Sequence, residues 1–464
     1  MRNVSTTAAP QTVRLRRVMS TPGLVLFGLA AILPLTVFTT YGVVAQTTES
    51  HVPAAYFVTS VAMLFTAISY ATLVRAFPHA GSAYFYARRA FGAHVGFLTG
   101  WTLMLDYLLL PLINYLAIGI YFNAEFTSVP AWIFSLGGVV LVTGLVIVGI
   151  TIVKNINLVL VCVQLAFAAV FVFLAFVRAA QHPESSLLQP FYNFGLQPSQ
   201  LFAGAAILAL SFLGFDTIST LSEEARNPRL AVPRAIVITT LLCGFLFIMI
   251  SCAAQLTIPD EADITDPDAA AFQIMGLTAG RWLEVFFLVA YLAGCFGAAI
   301  AAQVGVTRIL YAMGRDGVLP RRVFGVLSAR FNTPVGATLF VALISLSALV
   351  ADLATVATLI SFGALAAFSL VNLSAAKHFV IDTRQAWGFK GSLVYLISPL
   401  LGFTLTIWLW LNLSAPALIT GLCWFATGLI YLAGLTRLFR RQPPEVQFDP
   451  PPDTPLARSE PTTV

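Results

Sequence analysis

Charge is what this chain has least of. Asp, Glu, Lys and Arg together make up 10% of 464 residues, and 58% are hydrophobic. A soluble domain carries roughly 25% charged residues, so the composition excludes a water-soluble enzyme or nucleic-acid binder and specifies a polytopic membrane protein. Cysteine and histidine are sparse, at five each. Cys162, Cys243, Cys252, Cys295 and Cys423 all fall inside apolar runs, which excludes a disulfide framework or a CxxC metal pair. His51, His79, His94, His182 and His378 are scattered near loops and helix ends, too dispersed for a metal cage or a nucleophilic triad. A Gly-rich phosphate loop and an HExxH motif are also missing. The expectation is therefore no catalytic group, no metal, no cofactor and no nucleic-acid partner. The partners expected are a lipid bilayer and a small solute.

What the chain does have is long apolar runs. Windows of about 20 residues place twelve spans, near 23–46, 54–76, 94–124, 131–151, 155–178, 200–222, 232–257, 282–306, 336–351, 354–376, 392–412 and 415–437. The ninth and tenth are separated only weakly, around Asp352. Residues 1–22, with Arg14, Arg16 and Arg17 before the first run, read as a cytoplasmic tail rather than a signal peptide, since no small-residue cleavage site follows. The proline-rich segment 441–464 reads as a disordered cytoplasmic tail. With both termini inside, the outer loops hold only Arg178 and Arg281, and the other 23 of 25 basic residues fall on the inner side. A shift by one span would destroy that asymmetry, so the positive-inside bias sets the orientation. The outer loop 258–281 instead carries Asp260, Glu261, Asp263, Asp266 and Asp268, an acidic vestibule for cations or simply a solvated loop.

The stretch 211–236 organises the rest. It begins in an apolar run yet places Ser211, Gly214, Asp216, Thr217, Ser219 and Thr220 at mid-depth. A carboxylate near the bilayer centre costs roughly 3 kcal/mol on insertion scales, a load that an anchor would not carry. The reading that fits is a discontinuous helix lining a buried site. Pro34 interrupts the first span, with Thr36, Thr39, Thr40 and Tyr41 following, and a mid-span proline removes a backbone bond. If the chain repeats after five spans, spans 1 and 6 correspond. Interrupted helices at matching positions of two halves point to a transport site.

In the third span Asp106 sits among leucines with no Lys or Arg at helical spacing, and Tyr107 and Asn114 share a stripe beside it. Such an acid faces a cavity, is protonated, meets a cation or is held in a structural hydrogen bond. Asp216 either caps a half-helix or touches ligand. Half-helix N-termini suit a substrate carboxylate, and unwound carbonyls suit an ammonium. The eighth span lacks adjacent hydroxyls, which favours proton coupling or no coupling over sodium. Two inner motifs, FPHAGSAYFYARRAFG with its Gly81–Ser82 turn and TRILYAMGRDGVLP, read as gate elements or as basic loops that fix topology. In the second, Arg308 and Arg315 are the candidates, with Arg315 in reach of Glu223 or Glu224.

GSAYFYARRAFG, FLGFDTISTLSEEARNPRLAVPRAI and RILYAMGRDGVLP, in this order and spacing, resemble the amino acid–polyamine–organocation permeases over roughly residues 20–440. TVFTTYG, HVPAAY, LFTAISYATLVRAFPHAGSAY, LDYLLLPLIN and SFLGFDTISTLSEE look more closely like bacterial putrescine importers. The resemblance implies an all-α fold of twelve transmembrane helices in a LeuT-like 5+5 inverted repeat, with helices 1 and 6 broken. The first repeat would cover about 23–178 and the second about 200–376, with two extra helices over 392–437. It implies alternating-access import of a small organic cation such as putrescine, proton- or potential-driven, at a bacterial inner membrane. An amino acid permease or amino acid/amine exchanger is the alternative. By motif the substrate site comprises Leu33, Pro34, Leu35, Thr36 and Thr39 of span 1, Asp106, Tyr107 and Asn114 of span 3, and Ser211, Phe212, Gly214, Phe215 and Asp216 of span 6. Putrescine importers carry an acid where this chain has Thr39, which leaves Asp106 as the main anionic partner. Gln164 stands where cationic amino acid relatives have a lysine in span 5.

Overall fold

The computed structural model describes residues 19–78, 82–148, 153–181, 191, 197–222, 225–328, 330–331, 333–386 and 388–444. Glu223, Glu224, Gly81, His79, His182, most of the N-terminal tail and 445–464 lie outside the described residues. Those described are helical throughout. The one β contact among them is an isolated bridge between Met19 and Ala225, where Arg226 N–H donates to the Met19 carbonyl at 3.0 Å.

In chain order the helices are α1 (Thr21–Ile32), α2 (Val37–Thr47), α3 (Val52–Ala76), α4 (Ala83–Phe91), α5 (Ala93–Glu125), α6 (Ala131–Val148), α7 (Val153–Ala180), α8 (Pro198–Leu208), α9 (Pro228–Thr257), α10 (Ala270–Ala279), α11 (Arg281–Arg315), α12 (Arg321–Phe324), α13 (Val335–Ser345), α14 (Leu353–Ala376), α15 (Gly388–Ser392), α16 (Ser398–Leu411) and α17 (Ala415–Leu435). Among the described residues, eleven segments are long and apolar enough to cross a bilayer. At 1.5 Å per residue, the 15 residues of the apolar segment Val335–Leu349 reach about 22 Å, short of the roughly 30 Å hydrocarbon core. It is separated from α14 by three residues, and Asp352 caps α14 by accepting from Thr355 N–H at 2.8 Å. That cap is why the chain turns where the apolar signal barely dips.

Two elements run beyond the sequence-based bounds. α11 continues to Arg315 because ILYAMGR carries on the helical pattern. The acidic 258–281 segment contains a helix, α10, built on AAFQIMGLTA and packed against α2, α7, α9 and α11.

Two of the crossing segments are not continuous. The first, Thr21–Thr47, stops at Ile32, passes through Leu33 at φ 63° and a 3-10 turn, Pro34–Thr36, and restarts as α2. The sixth, Pro198–Leu221, runs as α8 into a 3-10 turn, Ala209–Phe212. It unwinds over 213–215 with Gly214 at φ 120°, and ends in a second 3-10 turn, Asp216–Leu221. Proline supplies the break in one, glycine in the other.

Around this pair, α3 packs on α9, and α5 packs on α11 and α14. α17 is held to α5 by a reciprocal clasp. Trp101 Nε1 donates to the Trp424 carbonyl at 3.0 Å, Trp424 Nε1 donates to the Trp101 carbonyl at 2.8 Å, and the two rings stack 5.0 Å apart.

Candidate functional site

The two interruptions meet. A Cβ added to Gly214 would stand 2.8 Å from the Ala31 carbonyl carbon and 2.9 Å from the Ile32 nitrogen, so backbone lies on backbone at the break. The interrupted turn of the sixth segment is stitched by its own side chains. Asp216 Oδ1 accepts from Gly214 N–H at 3.3 Å, Thr217 Oγ1 donates to the Gly214 carbonyl at 2.6 Å, and Ser219 Oγ donates to the Asp216 carbonyl at 2.6 Å. The Asp216 carboxylate thus bonds back across the unwound stretch and does not cap the 3-10 turn that follows.

Asp106 is different. It is 2% exposed and its Oδ1 has no hydrogen-bond partner among the described residues. α14 approaches it closely because position 363 is glycine: a Cβ there would meet the Thr102 carbonyl oxygen at 2.8 Å and Asp106 Cβ at 3.3 Å. Asp106, Asp216 and the phenols of Tyr70 and Tyr107 lie within electrostatic range of one another. The Tyr70 hydroxyl is likewise buried without a partner. Its ring stands edge-on to Phe215 at 5.7 Å and to Phe368 at 6.0 Å, with Phe215 and Phe368 themselves 5.3 Å apart. An uncommitted carboxylate in a dry interior is costly until a cation or a proton reaches it, and aromatic faces add attraction for an ammonium. Chemically such an arrangement suits a positive charge.

The remaining expected residues separate into groups. Leu33, Pro34, Leu35 and Thr36 form the first break, with Pro34 and Leu35 buried. Ser211 accepts or donates one bond with Tyr56 Oη at 3.0 Å, and Phe212 packs edge-on to Phe247 at 5.2 Å. Asn114 donates from its amide nitrogen to the Leu110 carbonyl of its own helix at 2.8 Å. Gln164 lies beside the first break. A Cβ at position 294 would touch its Nε2 at 2.7 Å and Leu33 Cδ1 at 3.1 Å.

The site is sealed towards one end of the molecule and open towards the other. On the side of the acidic 258–269 segment, Thr39 Oγ1 and Tyr291 Oη share a buried hydrogen bond of 2.7 Å. Phe38 packs edge-on to Phe167, Phe171 and Phe287, and Tyr121 Oη donates to the Phe38 carbonyl at 2.7 Å. Beyond this plug Ser50 donates to Glu261 at 2.6 Å, and burial pushes the Asp268 carboxyl up, with Asp266 and Asp352 adding to the effect. On the opposite side a cavity of about 410 Å³ lies between α5 and α11, with Ser82, Thr220 and Arg308 at its rim and Tyr107 at its deep end. Arg308 is exposed there, whereas Arg315 pairs with Asp316 at 2.8 Å.

Sequence reasoning passed over Tyr70, Tyr291, Phe368 and Gly363. The signal available for the tyrosines was a phenol inside an apolar span, since a buried hydroxyl demands a partner.

The amino acid permease family model matches residues 24–435. The chain belongs to the amino acid permease family. The permease is thus a multi-pass membrane transporter of the amino acid–polyamine–organocation superfamily, and not an enzyme. It is 39% identical to the low-affinity putrescine importer PlaP of Escherichia coli K12 over 438 residues, covering 94% of the permease and 97% of that relative. It is 28% identical to the branched-chain amino acid permease BcaP of Bacillus subtilis over 444 residues, with 90% and 92% covered. Cationic amino acid transporter 4 of Homo sapiens is 29% identical over 383 residues, with 78% of the permease and 59% of that relative covered.

Breaking the plug is expected to open the sealed side. Tyr291→Phe leaves the Thr39 hydroxyl unpaired in a buried setting, a loss of about 1–3 kcal/mol to the closed arrangement. Cys295, buried one turn from Tyr291, is the reporter. In a background with the other four cysteines replaced, an impermeant maleimide added on that side labels Cys295 faster in Tyr291→Phe than in the parent.

Proposed function

We propose that this permease imports a small organic cation, putrescine or a related polyamine, by alternating access across a bacterial inner membrane. Both termini would face the cytoplasm. The observation that carries the reading is Asp106, a buried carboxylate with an unpartnered oxygen in electrostatic range of Asp216 at the sixth-segment break. The resemblance of the full chain to PlaP, whose name assigns it putrescine, supports the same substrate. In this reading Val335–Leu349 serves as the ninth of twelve crossings. The chain is then two inverted five-span repeats, about 23–178 and 200–376, followed by two further helices, as in LeuT-like transporters.

The substrate lies between the breaks. Leu33, Pro34, Leu35, Thr36, Ser211, Phe212, Gly214 and Phe215 shape the pocket, Thr39 and Tyr291 close it from outside, and Asp106 with Tyr107 receives the ammonium. In this reading the conformation is inward-open, with the plug as the closed outer gate and the 410 Å³ cavity as the release vestibule. Arg308, Arg315, Glu223 and Glu224 would form the inner gate. No charged coupling residue stands at Gln164, so proton coupling, if used, runs through the acids of the site, and the potential alone supplies roughly 4–5 kcal/mol per 100 mV for a dication.

The test is uptake of labelled putrescine into proteoliposomes with an imposed inside-negative potential. Saturable uptake that grows with the potential supports the reading; no uptake above empty vesicles defeats it. The second reading, an amino acid permease, draws on the neutral Thr39–Tyr291 pair, which offers no second acid for a diamine. Competition between amino acids and their decarboxylated amines separates the two.

A further inference from the structure

The cavity between α5 and α11 has a chemistry at odds with an amine cargo. Its walls are apolar, with Phe97, Met104, Ile309 and Met313 facing one another, and none of its described lining residues is acidic. The single charge among its described lining residues is the Arg308 guanidinium, exposed and in no ion pair among the described residues. An ammonium leaving Asp106 is repelled there and finds nothing to hold it. The same walls would retain the opposite kind of molecule.

We infer that this vestibule binds a single-chain anionic amphiphile, a medium-length acyl carboxylate. Its head pairs with Arg308 and the rim hydroxyl of Ser82, and its chain runs inward along Phe97, Met104 and Met313. The length agrees. Along α5, Phe97 to Tyr107 spans about 15 Å at 1.5 Å per residue, so a seated chain fills the vestibule to its deep end. Guanidinium pairs with carboxylate in a fixed fork, which selects the anion over an alcohol of equal length. Occupancy holds the inner side open, so the ligand acts as an inhibitor from the cytoplasmic face. That consequence rests on the transport reading, whereas the binding does not.

The full-length protein in phosphatidylcholine nanodiscs, titrated with 10-bromodecanoate, tests this through quenching of tryptophan, since Trp101 lines the cavity. A saturable component is expected above the linear quenching caused by partition into lipid. Its half-saturation should rise at least tenfold in Arg308→Gln and with bromodecanol in place of the acid. It should vanish in Ala312→Phe, which fills the cavity from α11. Because Arg308 is exposed, Arg308→Gln carries the test even where Ala312→Phe fails to fold. Strictly linear quenching, or equal half-saturation for acid and alcohol or for the parent and Arg308→Gln, overturns the inference. Putrescine uptake is measured on the same purified protein in proteoliposomes, so loss of the quenching component with uptake intact condemns the amphiphile site alone.

Discussion

Asp106→Asn will raise the half-saturation concentration for amine uptake by about 30-fold to more than 1,000-fold while leaving the protein as stable as before or more so. The two halves of that result come from one fact. The Asp106 carboxylate is buried and its Oδ1 meets no donor. A substrate ammonium that pairs with it in a desolvated pocket loses about 2–5 kcal/mol when the charge is removed, and each 1.4 kcal/mol is tenfold. Folding gains nothing from an uncompensated charge in a dry interior, so neutralising it removes a penalty rather than a contact. A residue held for structure would show the reverse, with stability and uptake falling together. Asp216→Ala supplies that contrast. Its carboxylate accepts from Gly214 N–H, so its loss should lower thermal stability by about 1–3 kcal/mol as well as uptake. Uptake kinetics and melting temperature on the same purified variants separate the cases.

Gly214→Ala will abolish uptake and lower the melting temperature. At φ 120° the backbone lies where L side chains are strained, and such positions cost about 1–3 kcal/mol each. The steric term is larger. The added Cβ would sit 2.8 and 2.9 Å from backbone atoms of Ala31 and Ile32, which have no rotamer by which to yield. The two broken segments must then separate, and the pocket between them with them. Gly137→Ala is the control. A Cβ there meets nothing within 4 Å, so the variant should be neutral or gain up to about 1 kcal/mol from helix propensity.

The crossing segments were legible because apolar length and breakers are one-dimensional signals. Pro34 and Gly214 announced both interruptions, and the observed ends of ten expected spans lie within a few residues of those read from hydropathy. Asp106 was legible for the same reason: a lone acid in a leucine run needs no partner to be noticed. What stayed hidden depends on distant pairing. Thr39 and Tyr291 are 252 positions apart, and nothing local marks Tyr291 as the partner of a span-1 hydroxyl. Tyr70, Phe215 and Phe368 come from three different segments, and an aromatic in an apolar helix reads as core until its neighbours are known. Gly363 is ordinary in sequence and acquires meaning only from the Thr102 carbonyl it faces. For Asn114 the stripe placed it beside Asp106, while the bond its amide donates to the Leu110 carbonyl was not legible from spacing. Periodicity assigns a face and not the use of a hydrogen bond.

The most direct measurement is an experimental density map of the protein with putrescine bound. One ammonium nitrogen should lie about 3 Å from Asp106 Oδ1, with the diamine running between the breaks at Leu33 and Gly214. Ligand density elsewhere, with Asp106 still unpartnered or turned to lipid, would contradict the account.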